Sequence, residues 1–191
     1  LTSGDMTSIL PSSVLFLPVD VERVKSKNIV REDLLPLLRD SLSWSIGSRD
    51  LYKSDLIMLD IIASNDWERP IYFSSTLGNS SYLNLKEYMQ LEGYAYRLLP
   101  VKVDGASDGY VNEDIMYDRM MNHMAWRELD NPKTYYDNTY LGSPVLSARI
   151  SFLRLINQLL TDGKKEEARA ALKRSLETMP DKSIPYDQIS V

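Results

Sequence analysis

KSDLIMLDIIASNDWERPIYFSSTLGNSSYLNLKEYMQLEGYAYRLLP, residues 53–100, is the stretch whose reading decides the fold. It reads as helix, tight turn, strand, polar loop, helix, strand. Leu56, Ile57, Leu59, Ile61 and Ile62 make a nearly continuous apolar run from Ser54 or Asp55, either of which can cap a first helical turn. A run of about ten residues is expected to be a buried core helix and is far too short to span a bilayer. Asn65-Asp66 stops it, and Arg69-Pro70 imposes extended backbone before a strand at Ile71-Tyr72-Phe73. Beyond that strand, residues 74–81 form a polar loop opening onto a helix over 83–91, with Gly93 as its C-terminal stop and a strand over 94–103.

Working outward, residues 1–13 are small and polar and read as a flexible lead-in. A bounded apolar run follows at 14–19 and predicts a strand limited by Pro18. Leu34, Leu35, Leu38, Leu42 and Ile46 fall at helical spacing and predict an amphipathic helix over 31–46, with Pro36 in its first turns and Gly47-Ser48 at its end. After the turn-rich loop 104–109 comes a predicted helix over 112–129 with Ile115, Met116, Met120, Met121 and Met124 on one side. Pro144 opens the last fifty residues. There Leu146, Ile150, Leu153, Leu155, Ile156, Leu159 and Leu160 form the apolar side of one helix, and Ala168, Ala171, Leu172 and Leu176 that of a second, across a turn at Asp162-Gly163. This pair is similar to one tetratricopeptide hairpin, and no second copy occurs. The expected architecture is therefore α/β: a small, mainly parallel sheet flanked by helices in a body over 14–130, a connector at 131–143, and a helical hairpin over 144–191 packed on the body. The alternative is α+β with an antiparallel edge.

The chain has 191 residues, a net charge of −5 and no cysteine, which excludes disulfide and thiol chemistry and disfavours nucleic acid or an anionic membrane surface as partner. No stretch of about 18 apolar residues is present, and no signal-peptide pattern. Leu1 as first residue implies a piece of a longer chain. Met58-Leu59-Asp60-Ile61, Asn65, Trp67, Arg69-Pro70-Ile71-Tyr72-Phe73, Glu92-Gly93, Tyr96-Arg97-Leu98 and Pro100 together resemble the soluble C-terminal, periplasmic part of a family of bacterial multi-spanning membrane proteins of unknown function that are similar to protein O-mannosyltransferases. The resemblance runs from about residue 29 to 186. It implies a parent that resembles a membrane-embedded glycosyltransferase using a polyprenyl-phosphate sugar, with its catalytic acids in the membrane portion, so no catalytic residue is assigned here. It further implies a location at the periplasmic face of the inner membrane. The partners it implies are the parent's own membrane-spanning portion and a glycan or acceptor protein.

No serine-hydrolase elbow, phosphate-binding glycine loop or HExxH helix occurs, and no cofactor is expected. His123 is the single histidine and reads as an ordinary helix residue. Asp104, Asp108, Gly109 and Asn112 follow EF-hand spacing, but Ala106 and Ile115 occupy two ligand positions, so no metal site is expected. Two candidate binding sets remain. Ser75, Thr76 and Asn79 lie in the hydroxyl-rich loop beyond a strand, where a helix N-terminus would suit a sugar or phosphate; common turn and cap chemistry is the preferred reading of them. Asn65, Trp67 and Arg69 offer an indole to stack on a sugar and a guanidinium to hold an anion. Their position between a core helix and a core strand favours a scaffold role: Asn65 as helix stop, Trp67 as core plug, Arg69 paired with Asp60 or Glu92. Tyr135, Tyr136 and Tyr140 form a third, weaker carbohydrate-binding candidate in the connector.

Overall fold

Residues 41–45, expected at the end of a helix, form a strand in the computed structural model, which describes residues 12–47, 50–134 and 144–186. The reason lies in the spacing. Leu34, Leu38, Leu42 and Ile46 recur every fourth residue, which satisfies both a helical repeat and the even-numbered repeat of a strand. Ser41-Leu42-Ser43-Trp44-Ser45-Ile46 alternates strictly, and Leu42, Trp44 and Ile46 are buried while the serines are exposed. Only Glu32–Leu37, around Pro36, keeps a helical turn, of the 3-10 type. Strand β1 (Val14–Pro18) and β2 (Ser41–Ser45) pair antiparallel, with Leu15 opposite Trp44 and Leu17 opposite Leu42 on the inner face. Between them runs α1 (Val21–Ser26), whose N-cap Asp20 accepts from the Arg23 N–H at 3.0 Å.

Helix α2 (Lys53–Ser64) forms where expected, but it starts from Tyr52, whose N–H donates to the Asp55 carboxylate at 3.0 Å. It is not a core helix. Ile62 is buried, whereas Ile57 is 61% and Ile61 51% exposed, so α2 lies along the surface. The second sheet has the order β3–β5–β4–β6: β3 (Tyr72–Ser74), β4 (Met89–Leu91), β5 (Ala95–Leu98) and β6 (Tyr110–Val111). Helices around small mixed sheets, with a C-terminal hairpin, are as expected, but the strand directions are not. Only β4–β6 is parallel, and the other pairs are antiparallel. Gly93 is the cause. It has φ +99° at the first central position of a two-residue turn closed by Glu92 N–H to the Ala95 carbonyl at 2.9 Å, so it joins β4 to β5 as a hairpin instead of ending a helix. The helix expected over 83–91 gives way to two 3-10 turns, Asn79–Tyr82 and Lys86–Tyr88, because Leu83 (φ +51°) and Asn84 (φ +60°) are left-handed and break any helical run.

Asn112 caps α3 (Glu113–Asp118) by accepting from the Ile115 N–H at 3.0 Å, and the helix continues only through a π-type turn, Arg119–His123. It stops well short of 129, and the Trp126 indole N–H closes back on the Met120 carbonyl at 2.8 Å. Helices α4 (Leu146–Thr161) and α5 (Lys165–Thr178) form the hairpin. Ala168 and Ala171 are buried on α5 and Ala148, Phe152, Leu155 and Leu159 on α4. Ile150, Leu153, Leu160, Leu172 and Leu176, expected on the inner side, are exposed. The hairpin meets the sheet through hydrogen bonds: Ser151 Oγ donates to the Gly93 carbonyl at 3.2 Å, and Arg154 donates to the Tyr96 hydroxyl at 2.6 Å and the Gly109 carbonyl at 2.7 Å.

Gly109 is where this junction is tightest. Its φ is +76°, and a Cβ there would stand 2.9 Å from both the Met89 carbonyl oxygen and the Tyr96 ring. Gly109→Ala is expected to cost about 1–3 kcal/mol, read as a lowered midpoint in urea unfolding; an unchanged midpoint would show that β4 and β5 yield freely at this point.

Candidate functional site

The sharpest departure from regular backbone follows α2. Asn65 caps the helix, its side-chain amide donates to the Arg69 carbonyl at 2.8 Å, and the Glu68 N–H returns to the Asn65 carbonyl at 2.9 Å. Between them Asp66 (φ +44°) and Trp67 (φ +57°) are consecutive left-handed residues, a conformation that costs an ordinary L-residue about 1 kcal/mol or more. Helix α1 holds this turn from outside. Arg23 pairs with Asp66 and, at 3.2 Å, with Glu68, and Lys27 pairs with Glu68 at 2.6 Å. The hydrogen bond from Lys27 keeps the Glu68 carboxyl below the usual carboxylate range.

The turn forms one wall of a cleft of about 190 Å³ lined by Lys27, Asn65, Trp67, Arg69, Ile71 and Arg97, among others. Trp67 is half-buried against the core. Arg69 is exposed, and its guanidinium makes no hydrogen bond or ion pair among the described residues. Arg97 comes from β5, directly opposite Tyr72 on one side and Gln90 on the other, and Gln90 in turn pairs with Tyr110, so a polar row crosses the sheet on one face. Behind this row Glu92 is fully buried. It accepts from Arg119 at 2.9 Å, from the Tyr72 hydroxyl at 2.8 Å and from the Gln90 amide at 2.6 Å. Arg97 stands farther from it, at 3.8 Å, which leaves its guanidinium weakly held beside the cleft. Burial pushes the Tyr110 phenol up, and its hydroxyl, buried, has no hydrogen-bond partner among the described residues.

The scaffold expectation for the Asn65–Arg69 set holds for Asn65, whose side chain ties the turn. For Arg69 it does not hold. Glu92 is already satisfied by Arg119, Tyr72 and Gln90, and Asp60 makes no ion pair with Arg69. Trp67 is partly buried, packed against the core on one side and lining the cleft on the other. An indole face beside an uncompensated guanidinium can stack a ring and hold an anion. Lys27 and Arg97 were not visible as members of this site, since sequence separation hides what strand register and the α1 ion pairs bring together.

Ser75, Thr76 and Asn79 do not line this cleft. Thr76 Oγ1 and Ser74 Oγ bond each other at 2.8 Å, the Ser75 N–H donates to the Tyr94 carbonyl at 2.9 Å, and Ser75 Oγ is buried without a partner. No α-helix begins after this loop, so the helix N-terminus on which an anion site there depended is missing. His123 is exposed and lies 3.0 Å from Asp118. Tyr135, Tyr136 and Tyr140 lie outside the described residues, as do residues 1–11 of the lead-in.

Two small sheets, with α1, α2 and α3 between and after their strands and a cleft at the end of α2, make up the body of this protein. A family model matches residues 1–115, more than half of the chain, and the chain belongs to that family, the TMEM260-associated domain 2, a domain associated with a membrane-protein family. The match takes in both sheets and the cleft and ends within α3, leaving the hairpin outside it. No curated protein and no solved structure matches the chain. Among the described residues no helix is long and apolar enough to cross a membrane.

Proposed function

We propose that the chain is a non-catalytic, extramembrane domain of a membrane-embedded, glycosyltransferase-like protein, placed on the periplasmic face, and that it recognises an acceptor by an anionic sugar-bearing group held in the Trp67–Arg69 cleft. The observation that carries this reading is Arg69, exposed and without a counter-ion among the described residues, in the same cleft as an indole whose backbone is held in a strained turn. An exposed guanidinium that shares a cleft with an aromatic wall is free to meet an anion from solvent.

Calorimetric titration with mannose 1-phosphate, with methyl mannoside and inorganic phosphate as the neutral and sugar-free arms, tests it. Arg69→Ala is expected to weaken binding of the sugar phosphate by roughly tenfold or more, the weight of one charged hydrogen bond. Its melting temperature should stay within about 1 °C of the parent, because exposed side chains without partners contribute little stability. No binding by the parent chain, or equal binding by Arg69→Ala, would overturn the assignment.

A second reading rests on a different observation. Leu153, Leu172 and Leu176 are exposed on the hairpin, and this favours a protein-interaction module that uses the surface of α4 and α5.

A further inference from the structure

Helices α4 and α5 bury one side of each against the other and against the sheet, and leave a second apolar surface uncovered. Leu146, Ile150, Leu153, Leu172, Leu176 and Tyr186 line a cleft of about 350 Å³ between the two helices. Leu153 and Leu176 are about half exposed, so nothing among the described residues covers them.

Cations outnumber carboxylates around this cleft, where Glu166, Glu177 and Asp181 are the acidic neighbours. On α5, Lys165, Arg169 and Lys173 recur at every fourth residue and are all exposed. Arg169 lies one turn before Leu172 and Lys173 one turn before Leu176, so the three cations follow the outer edge of the apolar strip. Glu177 is paired with Lys173 at 3.7 Å, Glu166 lies one turn before Arg169 on the same edge, Asp181 accepts from the Tyr186 N–H at 2.9 Å, and Glu167 faces away. On α4 the only charged residues are Arg149 and Arg154. Arg154 is spent on Tyr96 and the Gly109 carbonyl. Arg149 lies in the wall of the cleft, with its guanidinium 4.3 Å over the Tyr186 ring and bonded to the Pro185 carbonyl at 3.0 Å. In a chain whose net charge is −5, this is a local basic rim around an apolar floor.

We infer that the cleft docks an acidic amphipathic helix of a partner protein, with apolar side chains seated between α4 and α5 and carboxylates against Lys165, Arg169 and Lys173. The inference rests on the second reading above, that the hairpin is a docking surface, and adds the chemistry of what docks. A second copy of this chain fits poorly: pairing the two clefts would bring one row of cations against another. An acidic helix with apolar residues at i, i+4 and i+7 answers both the floor and the rim.

The test uses the whole chain and two labelled synthetic helical peptides, identical in their leucines and flanked in one by glutamates and in the other by lysines, with binding followed by fluorescence anisotropy. The glutamate peptide should bind roughly tenfold or more tightly than the lysine peptide, and added salt should weaken it. The triple variant Lys165→Glu, Arg169→Glu, Lys173→Glu should invert the preference. Leu172→Ser with Leu176→Ser should abolish binding of either peptide while leaving the melting temperature unchanged. Equal binding of the two peptides would overturn the acidic assignment and spare the docking reading. Binding of neither peptide by a chain that dimerises on concentration would overturn it in favour of a second copy. Binding of neither by a monomeric chain would overturn both.

Discussion

Glu92→Ala is expected to lower the stability of the chain by about 3 kcal/mol or more, as breaking a buried ion pair from one side does. The carboxylate is fully buried and stands at the centre of a satisfied set: Arg119 at 2.9 Å, the Tyr72 hydroxyl at 2.8 Å, the Gln90 amide at 2.6 Å and Arg97 at 3.8 Å. Removing it leaves the Gln90 amide, itself buried, without its acceptor and leaves two guanidinia facing each other with no anion between them. Both arginines reach solvent in part, which keeps the effect toward the lower end of the range for such pairs. Glu92→Gln retains an acceptor and a similar volume, and should fall between the parent and the alanine variant. Urea unfolding of the three proteins measures this. An alanine variant within about 1 kcal/mol of the parent, the level of an exposed ion pair, would mean that the carboxylate is not the hub of this face.

Phe152→Ala is the second large effect, about 3–5 kcal/mol. Phe152 is 1% exposed, its ring lies 5.3 Å from that of Trp126, and Trp126 in turn lies 6.0 Å from Tyr94. Truncation therefore opens a cavity between the hairpin and the body and removes one member of an aromatic stack. The adjacent Leu153 supplies the control. At 52% exposed, Leu153→Ala should leave the melting temperature nearly unchanged, although periodicity alone places Leu153 with the core. A reversal of this order, with Leu153 the sensitive site, would mean that α4 is rotated about its axis from the position described.

That error of face shows what the sequence carries and what it does not. Residues 53–64 and 146–178 are legible as helices because the apolar repeat is sustained, but the facing side is ambiguous where apolar residues cover two sides, as Phe152 and Leu153 do. Residues 41–46 mislead because a spacing of four fits both periods, and only the intervening serines distinguish strand from helix. Over 83–91 the apolar residues are core, as Tyr82, Leu83 and Leu85 attest, yet the left-handed backbone at Leu83-Asn84 carries no strong compositional mark. The candidate site divides in the same way. Asn65, Trp67 and Arg69 lie within five residues and could be singled out by residue type. Arg97 joins them through register with Tyr72, and Lys27 through Glu68, pairings that no local pattern encodes. The direction of the sheet was encoded, in Glu92-Gly93-Tyr94-Ala95, where glycine at the first central position permits the tight hairpin turn.

The bonds that tie α4 to the sheet bear on how this protein can be divided. The family pattern closes at residue 115, but the Gly93 carbonyl, the Tyr96 hydroxyl and the Gly109 carbonyl take their donors from Ser151 and Arg154, beyond that limit. A fragment cut at 115 would keep every residue of the recognised pattern and lose the partners of three polar atoms, together with the cover that Phe152 and Leu155 lend to its sheet. Recombining the two pieces in trans is the natural way to restore them. The matched pattern and the hydrogen-bonded packing around it do not end at the same residue.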